Sequence, residues 1–181
     1  MIRPLVLSVL LLTATACDQS PGRDPGVSPA TATASQMQGH VVAVERVLDG
    51  DTFVVTGGER VRLLSVQAPE FRANTRADDA ECGAQAARDA LAGLIPPGTT
   101  VTLRGLPGEP AEDDFERTLS NAYVPIDGTE AVNVSLWLVR NGHARVYREY
   151  PTVETGEAIR LETQAREAGR GMWGMCPGGG Q

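Results

Sequence analysis

The sequence predicts an α+β domain, on two observations. Apolar and β-branched segments separated by two turn signals, Asp49-Gly50 and Gly57-Gly58, indicate consecutive antiparallel strands between residues 41 and 66. Farther along, apolar residues recur at intervals of three and four in two segments, which is the spacing of helices that bury one face.

The first half of the domain is predicted to be a three-stranded meander followed by a helix. The strands cover residues 41–47, 52–56 and 60–66, and Asp49-Gly50 favours a type I′ turn between the first two. Residues 83–94 then read as a helix that ends before Pro96-Pro97-Gly98.

The second half adds strands over residues 99–104 and 119–124, joined by a loop, and a buried helix over 132–141. A short strand over 144–147 precedes a last helix, whose predicted apolar stripe consists of Ala158, Leu161, Ala165, Ala168 and Met172. Five strands with a helix inserted after the third fit a closed barrel of the OB type with about three helices.

The N-terminus has the pattern of an export signal. Arg3 is followed by a short apolar run over residues 5–12 and by Ala14-Thr15-Ala16, which predicts a signal peptide over 1–16. Cys17 is then the first mature residue and the predicted site of lipidation. The alternative is plain cleavage, which leaves Cys17 as a free thiol. We therefore expect an exported protein, either a membrane-anchored lipoprotein or an extracellular or periplasmic protein.

The mature chain divides into three predicted parts. Residues 17–38 are rich in Pro, Gly, Ser, Thr and Ala and read as a flexible linker. Residues 39–176 are long enough for a single domain, and 177–181 form a disordered tail. In an oxidising compartment, Cys82 and Cys176 are predicted to form a disulfide, the alternative being two unpaired thiols.

The charge of the chain limits how it can bind a polyanion. The net charge is −7, and all 16 basic residues are arginines. An acidic chain is a poor general binder of nucleic acid, so any favourable field must come from a few arginines directed into one cleft.

A series of motifs runs along the domain in a fixed order. D-G-D-T precedes R-L-L-S-V-Q-A-P-E, and E-C-G-A-Q-A, D-D-F-E-R-T-L, L-V-R-N-G-H-A-R-V and E-A-G-R-G-M-W-G follow. Each motif alone is weak, but together and in this order they resemble the staphylococcal nuclease-like (thermonuclease) domain family. The resemblance covers nearly the whole domain and implies hydrolysis of phosphodiester bonds with the help of Ca²⁺.

The resemblance also implies roles for individual residues. Glu70 is the carboxylate that activates water, and Arg62 and Arg117 are the guanidinium groups that hold the phosphate. The calcium ligands are Asp51, Gln67 and the backbone carbonyl of Ala68. Each carboxylate and arginine also has a simpler interpretation, as a solvated turn residue or an outward-facing strand residue.

Three residues depart from the family pattern. Gln67 stands where the family usually has a second metal-binding Asp, so one ligand loses its charge. Phe115 replaces a Tyr, which removes a phenolic hydrogen bond, and Glu116 replaces a Gly beside Arg117. The first two changes, together with the added carboxylate, weaken the expectation of catalysis.

The sequence therefore predicts a secreted or lipid-anchored, Ca²⁺-dependent nuclease that acts on DNA, RNA or both without sequence specificity. It is expected to be a monomer that contacts the membrane only through a lipid on Cys17. One alternative is a nuclease-like domain that binds an oligonucleotide or another anion without cleaving it. A second is a purely structural surface module.

Overall fold

The computed structural model describes residues 39–71, 80–105, 112–126, 130–149 and 151–178. The predicted signal peptide, Cys17, the predicted linker and residues 179–181 of the predicted tail lie outside the described residues. Within the described ranges, no helix combines the length and apolar character needed to cross a membrane.

The described residues form eight strands and four helices. In chain order they are β1 (His40–Val47), β2 (Thr52–Val55), β3 (Arg60–Leu63), β4 (Val66–Gln67), α1 (Ala84–Leu94), β5 (Thr100–Arg104), β6 (Thr118–Ile126), β7 (Glu130–Asn133), α2 (Val134–Arg140), β8 (Arg145–Val146), α3 (Thr155–Glu167) and α4 (Met172–Met175).

Five of these strands close into a barrel. β1 pairs antiparallel with β2 and with β5, β2 pairs with β3, and β5 pairs with β6. A parallel pairing of β3 with β6 completes the ring. The predicted α+β fold with an OB-type barrel is therefore confirmed. The barrel interior is filled by fully buried side chains from strands and helices, including Phe53, Val61, Leu63, Leu91 and Leu138.

The two predicted turns differ. Gly57 and Gly58 have φ angles of 103° and 88°, a left-handed conformation that suits glycine. Gly50 does not have a positive φ, so the predicted type I′ turn is wrong there. Its glycine is instead required by packing, because a Cβ at Gly50 would lie 2.6 Å from the Cβ of Ala68 and 2.7 Å from that of Ala87.

The third predicted strand is interrupted. β3 ends at Leu63, Ser65 has a φ of 66°, and a separate two-residue strand follows at Val66–Gln67. This strand leaves the barrel and pairs with β8, with Gln67 opposite Arg145. The break takes Gln67 out of the barrel strand, and Gln67 lines the cleft described below.

The helices differ from the prediction in their limits. The segment predicted as one helix over 132–141 contains the end of β7 and then α2. Asn133 caps α2 by accepting a hydrogen bond from the N–H of Leu136 at 3.1 Å. α3 ends at Glu167, so Ala168 is exposed and not part of its buried stripe. Gly169, with a φ of 60°, redirects the chain into α4.

A disulfide fixes the C-terminus to the start of α1. Cys82 and Cys176 are bonded, with an S–S distance of 2.07 Å and a sequence separation of 94 residues. In the chain-entropy description, closing a loop of that length stabilises a fold by at most about 4–5 kcal/mol. The link also fixes the segment next to Glu81, which contacts the candidate site.

Candidate active site

Asp51 lies at the start of β2 and is almost completely buried, with 3% of its surface exposed. Its Oδ2 accepts a hydrogen bond from the N–H of Ala68 at 2.8 Å, and its Oδ1 accepts one from the Thr52 hydroxyl at 3.1 Å. The D-G-D-T turn is thereby fixed to the A-P-E segment 17 residues later. These bonds bring together two of the predicted metal ligands, Asp51 and Ala68.

Arg62 lies on β3 with its side chain directed at Asp51. Its Nη2 is 3.1 Å from Asp51 Oδ2 and also donates to Gln67 Oε1 at 2.9 Å. Its Nη1 donates to the carbonyl of Leu63 at 2.5 Å. With 9% of its surface exposed, Arg62 is a buried cation held from several directions, and not an outward-facing strand residue.

Gln67 joins Arg62 to Glu70. Its Nε2 donates to Glu70 Oε1 at 2.5 Å, while its Oε1 accepts from Arg62. Asp51, Arg62, Gln67 and Glu70 therefore form one continuous series of polar contacts, which we call the polar chain. Because Gln67 is neutral, it connects the buried ion pair to an exposed carboxylate without adding charge.

The backbone of Glu70 is held by Glu81. The N–H of Glu70 donates to Glu81 Oε2 at 3.1 Å, and the N–H of Glu81 donates to the carbonyl of Glu70 at 3.0 Å. Glu81 precedes Cys82, so the disulfide and α1 position this contact. The sequence analysis did not assign a role to Glu81, although it lies within the E-C-G motif.

Arg117 is held by its own loop. Its Nε and Nη2 lie 2.8 Å and 2.7 Å from Asp113 Oδ2, and its backbone N–H donates to Asp113 Oδ1 at 3.1 Å. The guanidinium lies over the ring of Phe115, 5.2 Å from the centroid, and Phe115 itself is 68% exposed. The sequence analysis missed Asp113, although its spacing of four residues from Arg117 was a usable signal.

Arg62 and Arg117 line the same cleft. Its volume is about 570 Å³, and its walls come from the β3–β4 region on one side and the 112–117 segment on the other. Gln67 and Tyr147 also line it, and the polar chain leads from the cleft wall to Glu70. The structure thus brings the predicted residues into one region.

One residue of the polar chain, Asp51, has a pKa well above its ordinary value. Burial raises the pKa of Asp51 to about 7, and this effect outweighs the opposing influence of Arg62. The carboxylates of Asp49 and Glu70 raise the pKa further, whereas the N–H of Ala68 lowers it. At Asp113, burial raises the pKa, but the hydrogen bonds from Arg117 and Phe115 outweigh burial and hold the pKa below its ordinary value.

The three predicted calcium ligands offer oxygen atoms of the kinds that Ca²⁺ binds. Asp51, Gln67 and the carbonyl of Ala68 lie close together, with Gln67 Nε2 3.5 Å from that carbonyl oxygen. Carboxylate, amide and backbone oxygens are all accepted by Ca²⁺. The set contains a single carboxylate, and no group of three or more His, Cys, Asp or Glu in the described ranges forms a metal site. The residue types therefore suit Ca²⁺, but Gln67 Oε1 accepts a hydrogen bond from Arg62 and would have to exchange that partner for the ion.

The fold and the site together define a class of protein, an OB-type barrel with an exposed carboxylate next to a cleft that carries two arginines. The acidic side chains of Glu112, Asp113 and Asp114 also line this cleft. A family model described as "Staphylococcal nuclease homologue" matches residues 60–175. The chain belongs to the staphylococcal nuclease family, and this membership supports a nuclease function.

Relatives of similar length agree with the family assignment. Protein ParB of Escherichia coli is 32% identical over 153 residues, which cover 81% of this chain and 76% of that protein. An uncharacterized endonuclease of Escherichia coli is 32% identical over 133 residues, 72% of this chain and 74% of that protein. A micrococcal nuclease of Shigella flexneri is 30% identical over 137 residues, 72% and 71% respectively.

Proposed function

We propose that this protein is a nuclease that hydrolyses phosphodiester bonds in DNA, RNA or both within the cleft between β4 and the 112–117 segment. The observation that carries the proposal is the polar chain, in which a buried ion pair is connected through Gln67 to Glu70 beside an arginine-lined cleft. Hydrolysis needs a proton acceptor for water and cations for the phosphate, and this arrangement supplies both.

Glu70 is the proposed proton acceptor. Its Oε1 is occupied by the amide of Gln67, while its Oε2 has no hydrogen-bond partner among the described residues. The Oε2 atom is therefore the atom that takes a proton from the attacking water. Gln67 and Glu81 act as positioning residues, one on the carboxylate and the other on the backbone.

Arg62 and Arg117 are the proposed phosphate ligands. Arg62 uses Nη1 and Nη2 for contacts within the protein and has further N–H groups for a phosphate oxygen. Arg117 is held by Asp113, so it binds phosphate by exchanging one anion for another. The planar guanidinium suits both a carboxylate and a phosphate, which makes this exchange geometrically simple.

Ca²⁺ dependence is part of the proposal. Asp51, Gln67 and the carbonyl of Ala68 are the residues that would hold the ion, and a bound Ca²⁺ supplies positive charge against the phosphate. Gln67→Asp restores a carboxylate and should lower the Ca²⁺ concentration at half-maximal activity. Calcium binding measured by calorimetry without substrate should strengthen as well. Unchanged binding would mean that Gln67 does not face the ion.

Export and lipidation at Cys17 complete the proposal. Extracellular modules often bind Ca²⁺ at about 10⁻⁴–10⁻³ M, so an exported site with one carboxylate finds enough of the ion. Labelling with a radioactive fatty acid should mark the parent protein and not Cys17→Ser. A secreted, unlabelled parent protein would instead indicate plain signal cleavage.

The decisive experiment is Glu70→Gln. Loss of a general base lowers turnover by roughly 10²–10⁴-fold, and we expect that loss here with an unchanged thermal midpoint. Glu45→Gln, on β1 and paired with Arg46, is the matched control and should keep full activity. A parent protein that binds an oligonucleotide without cleaving it, with or without Ca²⁺, would favour the binding-only alternative. An active Glu70→Gln variant would remove Glu70 from the chemistry.

A further inference from the structure

Four arginines near the C-terminal end of the domain are linked to Trp173 or to one another, and we call this group the C-terminal arginine patch. It consists of Arg140 at the end of α2, Arg145 on β8, Arg166 in the last turn of α3 and Arg170 before α4. The guanidinium groups of Arg145 and Arg166 lie 5.8 Å and 4.1 Å from the centroid of the Trp173 ring. Arg170 Nη1 donates to the carbonyl of Arg140 at 3.1 Å.

The patch carries charge that the protein does not neutralise. Within the described part of the chain, none of its four arginines forms an ion pair with a carboxylate, whereas Arg148 and Arg160 nearby pair with Glu162 and Glu157. Arg140, Arg166 and Arg170 are exposed, and Arg145 is partly exposed. These guanidinium groups therefore lack carboxylate partners although they are accessible to solvent.

The C-terminal part of the chain that carries the patch has more basic than acidic residues, unlike the chain as a whole. Six of the 16 Arg residues lie between residues 140 and 178, against five of the 23 acidic residues. The rest of this acidic chain is therefore strongly negative, and the patch is a local region of the opposite sign. A local cationic region on an acidic protein attracts a polyanion to one place and not to the whole surface.

The patch is continuous with the candidate active site. Arg145 is directly opposite Gln67 in the antiparallel β4–β8 pair, and residues opposite each other project from the same face. Gln67 in turn contacts Glu70. A nucleic acid strand that left the cleft past Gln67 would therefore reach Arg145, whose guanidinium shares the Trp173 ring with that of Arg166.

We propose that the C-terminal arginine patch is a second contact surface for the substrate strand, binding phosphates of nucleotides that lie outside the cleft. The identity of the ligand rests on the proposed nuclease function. Trp173 holds Arg145 and Arg166 by cation–π contacts, which do not neutralise their charge and leave their N–H groups available to phosphates. The consequence is a preference for long substrates over short ones.

The test measures binding in a Glu70→Gln background, so that the probe survives. The probes are fluorescein-labelled oligothymidylates of about four and about twenty nucleotides, a range that spans the site sizes of single barrels. Arg166→Gln with Arg170→Gln should weaken binding of the long probe several-fold and leave the short probe unchanged. The slope of log affinity against log salt should become smaller by about 0.7 for each phosphate that the variant no longer neutralises.

The matched control is Arg46→Gln with Arg160→Gln, which removes the same number of positive charges from exposed ion pairs. If the control weakens the long probe as much as the patch variant does, net charge explains the effect and the patch is not a site. An unchanged salt slope in the patch variant also overturns the proposal. Should that variant unfold, Arg166→Gln and Arg170→Gln are tested singly, and each should lower the slope for the long probe; an unchanged slope in both overturns the proposal.

The outcomes separate this proposal from the nuclease proposal. If protein with an intact Glu70 cleaves nothing but binds the long probe through the patch, the nuclease function fails and the patch stands. If the protein cleaves long and short substrates, and patch variants act on both as the parent does, only the patch proposal fails.

Discussion

Arg62 and Arg117 line the same cleft, but they are held in different ways. Arg62 is buried on a barrel strand, and its partners Asp51 and Gln67 come from different segments of the chain. Arg117 precedes β6 and is bound by Asp113, four residues earlier in the same loop. One cation is therefore part of the core, and the other is part of a local turn.

The difference indicates which cation the fold depends on. A buried charge without a partner is costly, so the fold of the barrel requires Arg62 and Asp51 to stay together. Arg117 and Asp113 are partly exposed, where ion pairs contribute little to stability. We therefore infer that Arg62 is a preorganised cation, and that Arg117 is available to exchange its partner for a phosphate.

The largest predicted effect follows from removing each guanidinium. Arg62→Gln should lower the free energy of unfolding by about 3–5 kcal/mol above pH 7, because it leaves Asp51 buried without its countercharge. Arg117→Gln should cost no more than about 1 kcal/mol. Urea unfolding of both variants provides the measurement, and equal losses would contradict the distinction between the two arginines. Both variants should nevertheless lose activity.

The barrel follows from local patterns that the sequence contains. Alternating apolar residues, the Gly57-Gly58 turn and the helical spacing of Ala84, Ala87 and Leu91 specify strands and a helix by short-range rules. The resemblance then indicated which charged residues to examine. Membership of the family and an OB-type barrel were predictable for these reasons.

The geometry that makes the site was not predictable in the same way. Leu64, Ser65 and Val66 continue a strand pattern, so nothing local marks the break that separates β4 from β3. Gln67 was predicted as a metal ligand, and its bridge from Arg62 to Glu70 depends on that break. The position of Arg145 opposite Gln67 depends on pairing between segments far apart in the chain.

The second prediction uses pH to test the protonation state of Asp51, the buried partner of Arg62. With a pKa of about 7 against an ordinary 3.8, folded Asp51 binds a proton that the unfolded chain has released. The free energy of unfolding should therefore fall as pH rises from about 4 to 7, by about 1.4 kcal/mol for each unit of pKa difference. The comparison is made in chelator, between the parent protein and Asp51→Asn.

In that comparison, the contributions of other titrating groups to the free energy of unfolding cancel. The stability of the parent relative to Asp51→Asn should therefore decline between about pH 4 and pH 7. A relative stability that stays flat or rises with pH would mean that Asp51 is ionised in the folded state at ordinary pH. The ion pair with Arg62 would then outweigh burial, and Arg62 would be a more strongly neutralised cation than we infer.

The smallest predicted effect concerns the loop that holds Arg117. Glu116 has a φ of 57°, in the left-handed region, which costs a residue with a side chain about 1–2 kcal/mol relative to glycine. Glycine loses more conformational freedom on folding, which offsets roughly 0.5–1 kcal/mol of that gain. Glu116→Gly should therefore stabilise the protein slightly, by up to about 1.5 kcal/mol, in thermal unfolding. The neighbouring Asp114 does not have a positive φ, so Asp114→Gly is the matched control and should destabilise instead. Equal destabilisation by both would show that the 112–117 loop carries no backbone strain. Arg117 would then be held by a relaxed turn, which would strengthen the contrast with the packed surroundings of Arg62.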